Sequence, residues 1–281
     1  MDIIKNPKEM QKISERKRNE GKIISLVPTM GFFHKGHLSL IREGRNLGDF
    51  LVVSLFVNPI QFGPKEDFNS YPRDFERDKR LAYKEGVDVI FAPSIDLMYP
   101  KSFQTKVEVE NLTKNLCGKK RPGHFKGVTT IVAKLFNIVK PHFAIFGQKD
   151  YQQLIVIKKM VEDLNFDLEI ISMPTIREED GLAMSSRNNY LNHEEREAAL
   201  CLSRALKEAE SLFYSGERIS SRLINRMEEI INKNKLNKVE YIQICDANTL
   251  EDLDIIDRPC VIALAVKVGK ARLIDNLVIK N

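Results

Sequence analysis

The sequence predicts an α/β protein in which a parallel sheet with helices on both faces is followed by a smaller α+β C-terminal domain with antiparallel strands. The parallel sheet is indicated by apolar runs that alternate with helical patterns through about the first 175 residues. The C-terminal domain is indicated by strand-like segments near the C-terminus, two of which are joined by a turn at Gly269-Lys270. We therefore expect two domains, residues 1–176 and residues 177–281.

The parallel sheet is predicted to contain five strands in a Rossmann-like arrangement. They span residues 23–28, 50–57, 87–91, 142–146 and 168–172. In such a sheet ligands bind beyond the carboxyl ends of the strands, where turns lead into helices. The functional residues of this chain are therefore expected in the turns that follow these strands.

The C-terminal domain is predicted to contain two helices and three strands. A long helix over residues 193–214 is indicated by a capping-box pattern of Asn192 and Glu195 at its start and by Gly216 after its end. A second helix is predicted over about residues 221–233. The segments VEYIQICDA, CVIALAVKV and ARLI are then expected to form the antiparallel sheet.

The composition is that of an ordinary globular protein, with 43% apolar and 30% charged residues. No apolar run is long enough for a membrane-spanning helix, and the charged N-terminus lacks the apolar stretch of a secretory signal. We therefore expect a cytoplasmic protein. Its four cysteines lie far apart without a CxxC pair, so they are expected to be reduced and mostly buried.

The net charge is mildly positive, because 44 basic residues face 39 acidic ones. A charge of this size suits an anionic small substrate. The densest basic patch, residues 119–121, has few aromatic side chains nearby on which nucleic-acid bases could stack. A nucleic-acid partner is therefore not expected.

The most informative segment is PTMGFFHKGH, residues 28–37, which follows the first predicted strand. A proline and a glycine end that strand, and His34 and His37 then open a helix. We expect this turn to direct backbone N–H groups, the positive end of a helix dipole and two imidazoles at a phosphate chain. Two alternatives stay open: the histidines only cap the helix or lie at the surface, or they bind zinc, for which no other histidine or cysteine has the usual spacing.

Polar residues also follow two other predicted strands. Asn58 and Gln61 come after LVVSLFV, and their amides can bind a small polar ligand unless the segment is a plain turn. Lys149 follows HFAIF at the start of a helix, where a cation is unfavourable unless an anion binds there. Asp150 could simply cap that helix. Gln153 lies one turn further on and is expected to face the same cleft.

Two further loops carry glycine or serine. RPGHFKGV, residues 121–128, has part of the glycine spacing of a P-loop, but a histidine and a phenylalanine stand where that motif needs lysine and serine or threonine. A Walker-type site is therefore excluded. The other loop carries Ser185, Ser186 and Arg187, whose hydroxyl and guanidinium donors suit a polyphosphate. Taken alone, this second loop could equally be an ordinary surface loop.

Taken in order, the segments PTMGFFHKGHLSLI, FVNPIQF, YPR, RPGHFKGV, FGQKDYQQL and GLAMSSRNNYL resemble the pantoate–β-alanine ligase family, within the nucleotidyl-transferring superfamily of the class I aminoacyl-tRNA synthetases. The loop differs from a synthetase loop of the KMSKS type, which has lysines where Ala183 and Arg187 stand. The resemblance implies that ATP and Mg²⁺ are used to join (R)-pantoate to β-alanine through a pantoyl-adenylate, with release of AMP and pyrophosphate. It also implies a homodimer.

The resemblance further implies roles for single residues. His37 would be the general acid and His34 its phosphate-binding neighbour. Asp150 would bind the ribose, and Gly147, Ile176 and Met184 would border the adenine. The expected catalytic set is His34, His37, Lys149, Ser185, Ser186 and Arg187. The expected ATP contacts are Met30, Gly31, Phe32, Phe33, His34, Lys35, Gly36, His37, Gly147, Gln148, Lys149, Asp150, Ile176, Met184, Ser185, Ser186 and Arg187.

For pantoate and β-alanine the resemblance implies hydrogen bonds from Gln61 and Gln153, with Asn58 in support. The charged segment 63–73 is expected to act as a lid that keeps water from the adenylate. The metal ligands stay unknown from the sequence. Three acidic residues that follow this segment lie near the expected cleft or form a charged helix face. They are Asp74, Glu76 and Asp78.

Two other functional classes stay open. A nucleotidyltransferase that makes a dinucleotide or a CDP-compound would share the histidine turn, but it would need further cationic side chains in place of Gln61 and Gln153. A non-catalytic nucleotide sensor would need neither histidine for chemistry.

Overall fold

The structure is a computed structural model that describes residues 1–64 and 66–280. The chain forms two compact units. The first contains Met1–Glu110, Arg121–Gln148 and Gln153–Pro174, and the second contains Asn111–Lys120, Lys149–Gln152 and the chain from Thr175 onward. The domain boundary between residues 176 and 177 stays a prediction from the sequence.

The first unit is built on a six-stranded parallel sheet, which confirms the predicted fold class. The strands are β1 (Asp2–Ile4), β2 (Ile24–Thr29), β3 (Phe50–Leu55), β4 (Val89–Phe91), β5 (Phe143–Gly147) and β6 (Glu169–Met173). All five predicted strands form, with ends that differ by no more than two residues. Strand β1 could not be recognised from the sequence, because only its residues Ile3 and Ile4 are apolar before a charged segment begins, whereas the equally short β4 lies within the mostly apolar run VDVIFA.

The ten helices of the described chain lie between and after these strands. They are α1 (Pro7–Asn19), α2 (Lys35–Leu47), α3 (Phe75–Lys84), α4 (Ile95–Met98), α5 (Leu116–Lys120), α6 (His124–Val139), α7 (Tyr151–Asp163), α8 (His193–Ala199), α9 (Cys201–Tyr214) and α10 (Ser220–Ile231). Apolar side chains between the sheet and the helices of the first unit are fully buried, among them Val27, Ile41 and Ile145.

The strand order is β1-β4-β3-β2-β5-β6. From β2 the chain adds β3 and β4 on one side and then returns to place β5 and β6 on the other, so the order reverses between β2 and β5. Ligands of open α/β sheets bind outside the carboxyl ends of the strands at such a reversal. The histidine turn follows β2 and Gly147-Gln148 closes β5, so the topology places both at the expected position.

The second unit contains an antiparallel sheet of β7 (Asn237–Asp246), β8 (Cys260–Val268) and β9 (Ala271–Ile279) in that order. This confirms the predicted α+β architecture. The side chains of Leu206 on α9, Leu223 on α10 and Leu264 on β8 are buried in its core.

The predicted single helix over residues 193–214 is wrong, because Leu200 separates α8 from α9. All five residues from Ala198 to Leu202 are buried, so this stretch has no one-sided periodicity from which the break could be recognised. The capping box of Asn192 and Glu195 at the start of α8 is confirmed.

The four cysteines are buried and unbridged, as expected. In the part of the chain that the structure describes, no helix has the length and apolar character needed to span a membrane.

Candidate active site

The turn after β2 has an unusual backbone conformation. Gly31 has a φ of 86° and the next residue, Phe32, has a φ of 55°. Two consecutive left-handed residues are uncommon, and the second is strained because it carries a side chain. Thr29 supports the start of the turn, since its hydroxyl donates to Ser54 O at 2.8 Å and accepts from Gly31 N at 3.2 Å.

Asp78 of α3 holds the strained part of this turn. Its Oδ2 accepts from Phe32 N at 2.6 Å and its Oδ1 from Phe33 N at 2.7 Å. The Arg77 guanidinium lies 5.1 Å from the centre of the Phe32 ring. Burial raises the pKa of Asp78, although the two N–H groups and Arg77 favour its charged form. The alternative of a charged helix face is wrong for Asp78, because its side chain is only 1% exposed.

The two histidines cap α2. His34 Nδ1 accepts from Gly36 N at 3.1 Å, His37 Nδ1 accepts from His34 N at 3.4 Å, and the ring centres lie 4.0 Å apart. The helix-cap alternative is thus confirmed, but it does not exclude chemistry. A neutral imidazole that accepts at Nδ1 carries its proton at Nε2. Both rings therefore have their donor on Nε2, which is the polarity that a phosphate oxygen requires.

Most backbone N–H groups of the turn donate within the protein, to the Thr29 hydroxyl, to Asp78 or to a histidine ring. These N–H groups therefore do not face a phosphate as expected, because the turn uses them for its own stability. The N–H groups concerned are those of Gly31, Phe32, Phe33, His34 and Gly36.

The predicted ATP contacts of this turn differ in exposure. Phe33 is fully buried, whereas Lys35 is exposed and the two histidine rings are half-buried. The ring of Phe33 therefore belongs to the core.

Asn58 and Gln61 frame the short turn Pro59–Gln61 after β3. Asn58 is buried, and its Nδ2 donates to Gln61 Oε1 at 2.9 Å and to Gly127 O at 3.1 Å. Gln61 Nε2 lies 3.4 Å from Met30 Sδ, so the structure brings a predicted pantoate residue together with the first residue of the predicted ATP segment. Gly127 is required for this packing, because a Cβ there would lie 2.5 Å from a backbone oxygen of the turn.

Side chains from the loop before α6 and from the first residue of α6 contact the backbone carbonyl of Gln61. His124 Nδ1 lies 2.8 Å from Gln61 O, and because a carbonyl only accepts, this nitrogen carries the proton. His124 Nε2 then accepts from Arg121 at 2.9 Å, and Arg121 also binds Glu66 at 2.5 and 2.6 Å. The contacts among these three residues were not predicted, since spacing along the chain does not show which distant residues meet. Glu66 was expected only as part of the lid segment 63–73.

In the second unit, Lys149 follows Gln148 in a short turn before α7, and Asp150 is exposed. The Lys149 carbonyl accepts from Asn276 Nδ2 on β9 at 2.8 Å. Lys149 and Ser185 line one small pocket, together with Asp275 on the same strand β9. The structure therefore brings two predicted phosphate-binding segments together within this unit.

The chain that leads to the serine loop is a tight hairpin. Met184 N donates to Ile176 O at 2.9 Å, so two of the three residues predicted beside adenine are paired. Arg177 binds the buried carboxylate of Asp275 through two hydrogen bonds of 2.6 and 3.0 Å. This bidentate pair attaches the base of the hairpin to β9.

The serine loop itself is a short helical turn, Ser186–Tyr190. Ser185 Oγ caps it by accepting from Arg187 N at 3.3 Å, and Ser186 is buried. Asn188 Nδ2 donates to Ala183 O at 3.1 Å. The loop is therefore well defined rather than an irregular surface segment.

The two neighbouring glutamines of α7 differ in their surroundings. Gln152 is buried, and its Nε2 donates to Leu112 O and Asn115 O, each at 2.8 Å. Gln153, the predicted pantoate residue, belongs to the first unit and is half-buried, as are Gly147 and Gln148 of that unit.

These features define a class of protein: a nucleotide-binding α/β fold with a pair of capping histidines at the switch point of its sheet. Comparison with known proteins narrows the class. The family model described as pantoate-beta-alanine ligase matches residues 2–278, and the chain belongs to this family.

Individual relatives agree with this assignment. The pantothenate synthetase of Syntrophus aciditrophicus (strain SB) is 57% identical over 276 residues, which cover 98% of this chain and 96% of that one. The pantothenate synthetase of Geobacter sulfurreducens is 56% identical over 279 residues and 99% of both chains.

Solved structures show the same fold. A crystal structure of pantothenate synthetase from Thermus thermophilus has a TM-score of 0.95 and 42% identity over the whole of both chains. A crystal structure of pantoate-beta-alanine ligase from Francisella tularensis, complexed with beta-gamma ATP and beta-alanine, has a TM-score of 0.80 and 35% identity, and covers 99% of this chain and 97% of that one.

The first prediction concerns Asp78. Asp78→Asn places an NH₂ group against a backbone N–H of the turn, so we expect the free energy of unfolding to fall by about 1–3 kcal/mol. Affinity for ATP should fall as well, since the histidine turn loses its support. Asp74→Asn is the matched control, because Asp74 is exposed and only caps α3, a position where Asn is as good as Asp. Urea unfolding and ATP titration would contradict the prediction if both variants behaved alike.

The second prediction concerns the Glu66–Arg121 pair. Burial raises the pKa of Glu66, but the hydrogen bonds and charge of Arg121 more than offset this and lower it from 4.5 to about 2. Because the folded pKa lies below the unfolded one, the pair stabilises the fold fully above about pH 5 and loses its contribution as the pH falls towards about 2.

The free-energy difference between the parent protein and Glu66→Gln should therefore be constant from about pH 7 to pH 5 and shrink below that range. Urea unfolding across this range measures it. Glu108→Gln is the control, because Glu108 is 54% exposed in its pair with Lys126 and should contribute little at any pH. A difference for Glu66→Gln that persists unchanged down to about pH 3 would show that the pair does not lower this pKa.

Proposed function

We propose that this protein condenses (R)-pantoate with β-alanine and ATP to give pantothenate, AMP and pyrophosphate through a pantoyl-adenylate. The observation that carries the proposal is the contact of the Gln61 amide with Met30. It joins a hydrogen-bonding group suited to a small hydroxy acid with the first residue of a nucleotide turn. Membership of the pantoate-beta-alanine ligase family over residues 2–278 supports the same reaction.

Two steps are required because a free carboxylate is a poor acyl donor. The pantoate carboxylate first attacks the α-phosphate of ATP and displaces pyrophosphate, and the β-alanine amine then attacks the acyl carbon and displaces AMP. Negative charge builds on the phosphate oxygens in the first step. Fixed donors that meet this charge lower the barrier.

The chain offers such donors in each unit. In the first unit, His34 and His37 can donate from Nε2, and we assign the phosphate contact in the ground state to His34 and to His37 the general-acid role, in which Nε2–H donates to the charge that develops in the transition state. In the second unit, Lys149 and Ser185 line one pocket. Together with Ser186 and Arg187 they are assigned to the phosphates by the family resemblance. Their local geometry supports this role, because the serine turn is capped and held in place.

The remaining ATP contacts belong to this proposal as well. Asp150 is assigned to the ribose, and the paired Ile176 and Met184 to the adenine. Gln61 and Gln153 are assigned to pantoate and β-alanine, with Asn58 in support. The neutral character of these amides favours a hydroxy acid over a phosphate ester.

The predicted lid, residues 63–73, remains part of the proposal. Its Lys65 lies outside the described residues. Elsewhere in the segment, the Glu66–Arg121 pair provides one anchor, and edge contacts of Phe62 with Phe68 and Tyr71 provide a second.

Mg²⁺ is proposed to enter with ATP, bound by phosphate oxygens. Across residues 1–64 and 66–280 there is no group of three or more His, Cys, Asp or Glu side chains arranged to hold a metal ion. Both Asp78 oxygens accept backbone hydrogen bonds, and Asp74 accepts one from Arg77 N at the start of α3. The cytoplasmic location, the homodimer and the lack of a nucleic-acid partner also remain proposals from the sequence.

The third prediction tests the order of steps. If a discrete adenylate forms, exchange of labelled pyrophosphate into ATP should require pantoate and Mg²⁺ but not β-alanine. AMP release should require both pantoate and β-alanine. Exchange that appears only after β-alanine is added would rule out a discrete adenylate, and turnover of a phosphate ester instead of pantoate would indicate a nucleotidyltransferase.

The fourth prediction separates the two histidines. His37→Ala should lower kcat by about 10²–10³-fold with a smaller change in ATP affinity, because its donor acts mainly in the transition state. His34→Ala should chiefly raise the KM for ATP. Each variant also loses a helix cap, at a cost of about 1 kcal/mol, so melting temperatures are measured alongside the kinetics. A His37→Ala protein that adenylates pantoate at the parent rate would refute the assignment.

A further inference from the structure

A hydrogen-bonded chain of three side chains leads away from the proposed acid-binding amide. Tyr99, which follows α4, donates from its hydroxyl to Asn58 Oδ1 at 2.7 Å. Asn58 in turn contacts Gln61 Oε1 and Gly127 O. Tyr99 was not singled out in the sequence, because 41 residues separate it from Asn58.

The donor-to-acceptor direction of these hydrogen bonds is set by the Gly127 carbonyl, which cannot donate. The Gly127 carbonyl only accepts, so the Asn58 amide must turn its NH₂ towards it. Asn58 Oδ1 is then directed to the Tyr99 hydroxyl. The second hydrogen of the Asn58 NH₂ is directed to Gln61 Oε1.

This arrangement determines how the side-chain amide of Gln61 is oriented. With its oxygen held by Asn58, its Nε2 faces the opposite direction, towards Met30 Sδ at 3.4 Å. A thioether is a weak acceptor, and a carboxylate or hydroxyl oxygen of a substrate replaces it with a stronger hydrogen bond.

We propose that Tyr99 is a positioning residue that, together with the Gly127 carbonyl, acts through Asn58 to hold the Gln61 amide with its NH₂ towards the acid substrate. This end of the site then selects a ligand oxygen that accepts, and disfavours a ligand group that donates. The inference deepens the proposed function and rests on it, since it takes pantoate as the acid.

The surroundings of Tyr99 fit this role. Its ring makes an edge contact with Phe103 at 5.1 Å and a tilted contact with Phe56 at 6.2 Å. Lys134 Nζ lies 5.6 Å from the ring centre. Burial raises the pKa of Tyr99, so the phenol keeps the proton that it donates. The hydroxyl is therefore held in one place and in one protonation state.

Tyr99→Phe tests the proposal by removing only the donor. Without it the Asn58 amide is less strictly oriented, and we expect the KM for pantoate to rise about fivefold, while the KM for ATP changes by less than about twofold. Direct binding of pantoate, measured by calorimetry without ATP, should weaken by the same factor.

Tyr151→Phe is the matched control. Tyr151 is also half-buried, and its hydroxyl makes one hydrogen bond of 2.8 Å, to Ala247 O in the second unit. Both variants should lose similar thermal stability, but only Tyr99→Phe should weaken pantoate binding. Equal changes in pantoate KM for the two variants, or equal changes in pantoate and ATP KM for Tyr99→Phe, would overturn the proposal.

The polarity of Gln61 is tested separately with Gln61→Glu and Gln61→Ala. If NH₂ faces the substrate, glutamate places a carboxylate against the pantoate oxygens and should raise the pantoate KM more than alanine does. If the carbonyl faces a substrate hydroxyl, glutamate should bind pantoate better than alanine, and the proposal is wrong. A parent protein that neither binds pantoate nor releases AMP with it overturns the proposed function itself, and this inference with it.

Discussion

The active-site geometry of the first unit depends on one buried carboxylate. Asp78 accepts from two consecutive N–H groups in a turn whose residues Gly31 and Phe32 are both left-handed. A buried charge is costly unless it is hydrogen-bonded, and a left-handed phenylalanine is strained. Each partner offsets part of the other's cost, since the N–H groups favour the charged carboxylate and the carboxylate holds the left-handed turn. The start of α2, and with it both histidines, follows directly from this turn.

In each capping histidine, one ring nitrogen serves the fold and the other carries the proton. Nδ1 of each imidazole satisfies a backbone N–H at the start of α2, which leaves Nε2 to carry the proton. From the sequence, helix cap and phosphate ligand were alternatives, but the cap uses Nδ1 of each ring and so does not exclude a phosphate contact through Nε2.

The sequence predicted the elements and contiguous motifs well, and failed where residues meet across the fold. The five predicted strands lie within apolar runs, whereas β1, with two apolar residues, and the break at Leu200 leave no periodic signal. The histidine turn was found because its residues are adjacent. The residues that hold the site segments in place were not found, because they lie far from their partners in the sequence. Asp78 is 46 positions from Phe32, His124 is 63 positions from Gln61, and Asn276 is 127 positions from Lys149. Such contacts depend on strand order, which single-residue patterns do not encode.

A common rule connects the supporting contacts of the first unit. Asparagine, glutamine and histidine side chains can each present either a donor or an acceptor in a given direction. A neighbouring group of fixed polarity must therefore determine which of the two they present. Here the groups of fixed polarity belong to the backbone. The Gly127 carbonyl orients Asn58, the Gln61 carbonyl orients His124, and amide N–H groups orient the two capping rings. Backbone groups cannot reverse their polarity, and the fold fixes their positions. The fold therefore determines which hydrogen bonds this part of the site offers, as well as where its side chains lie.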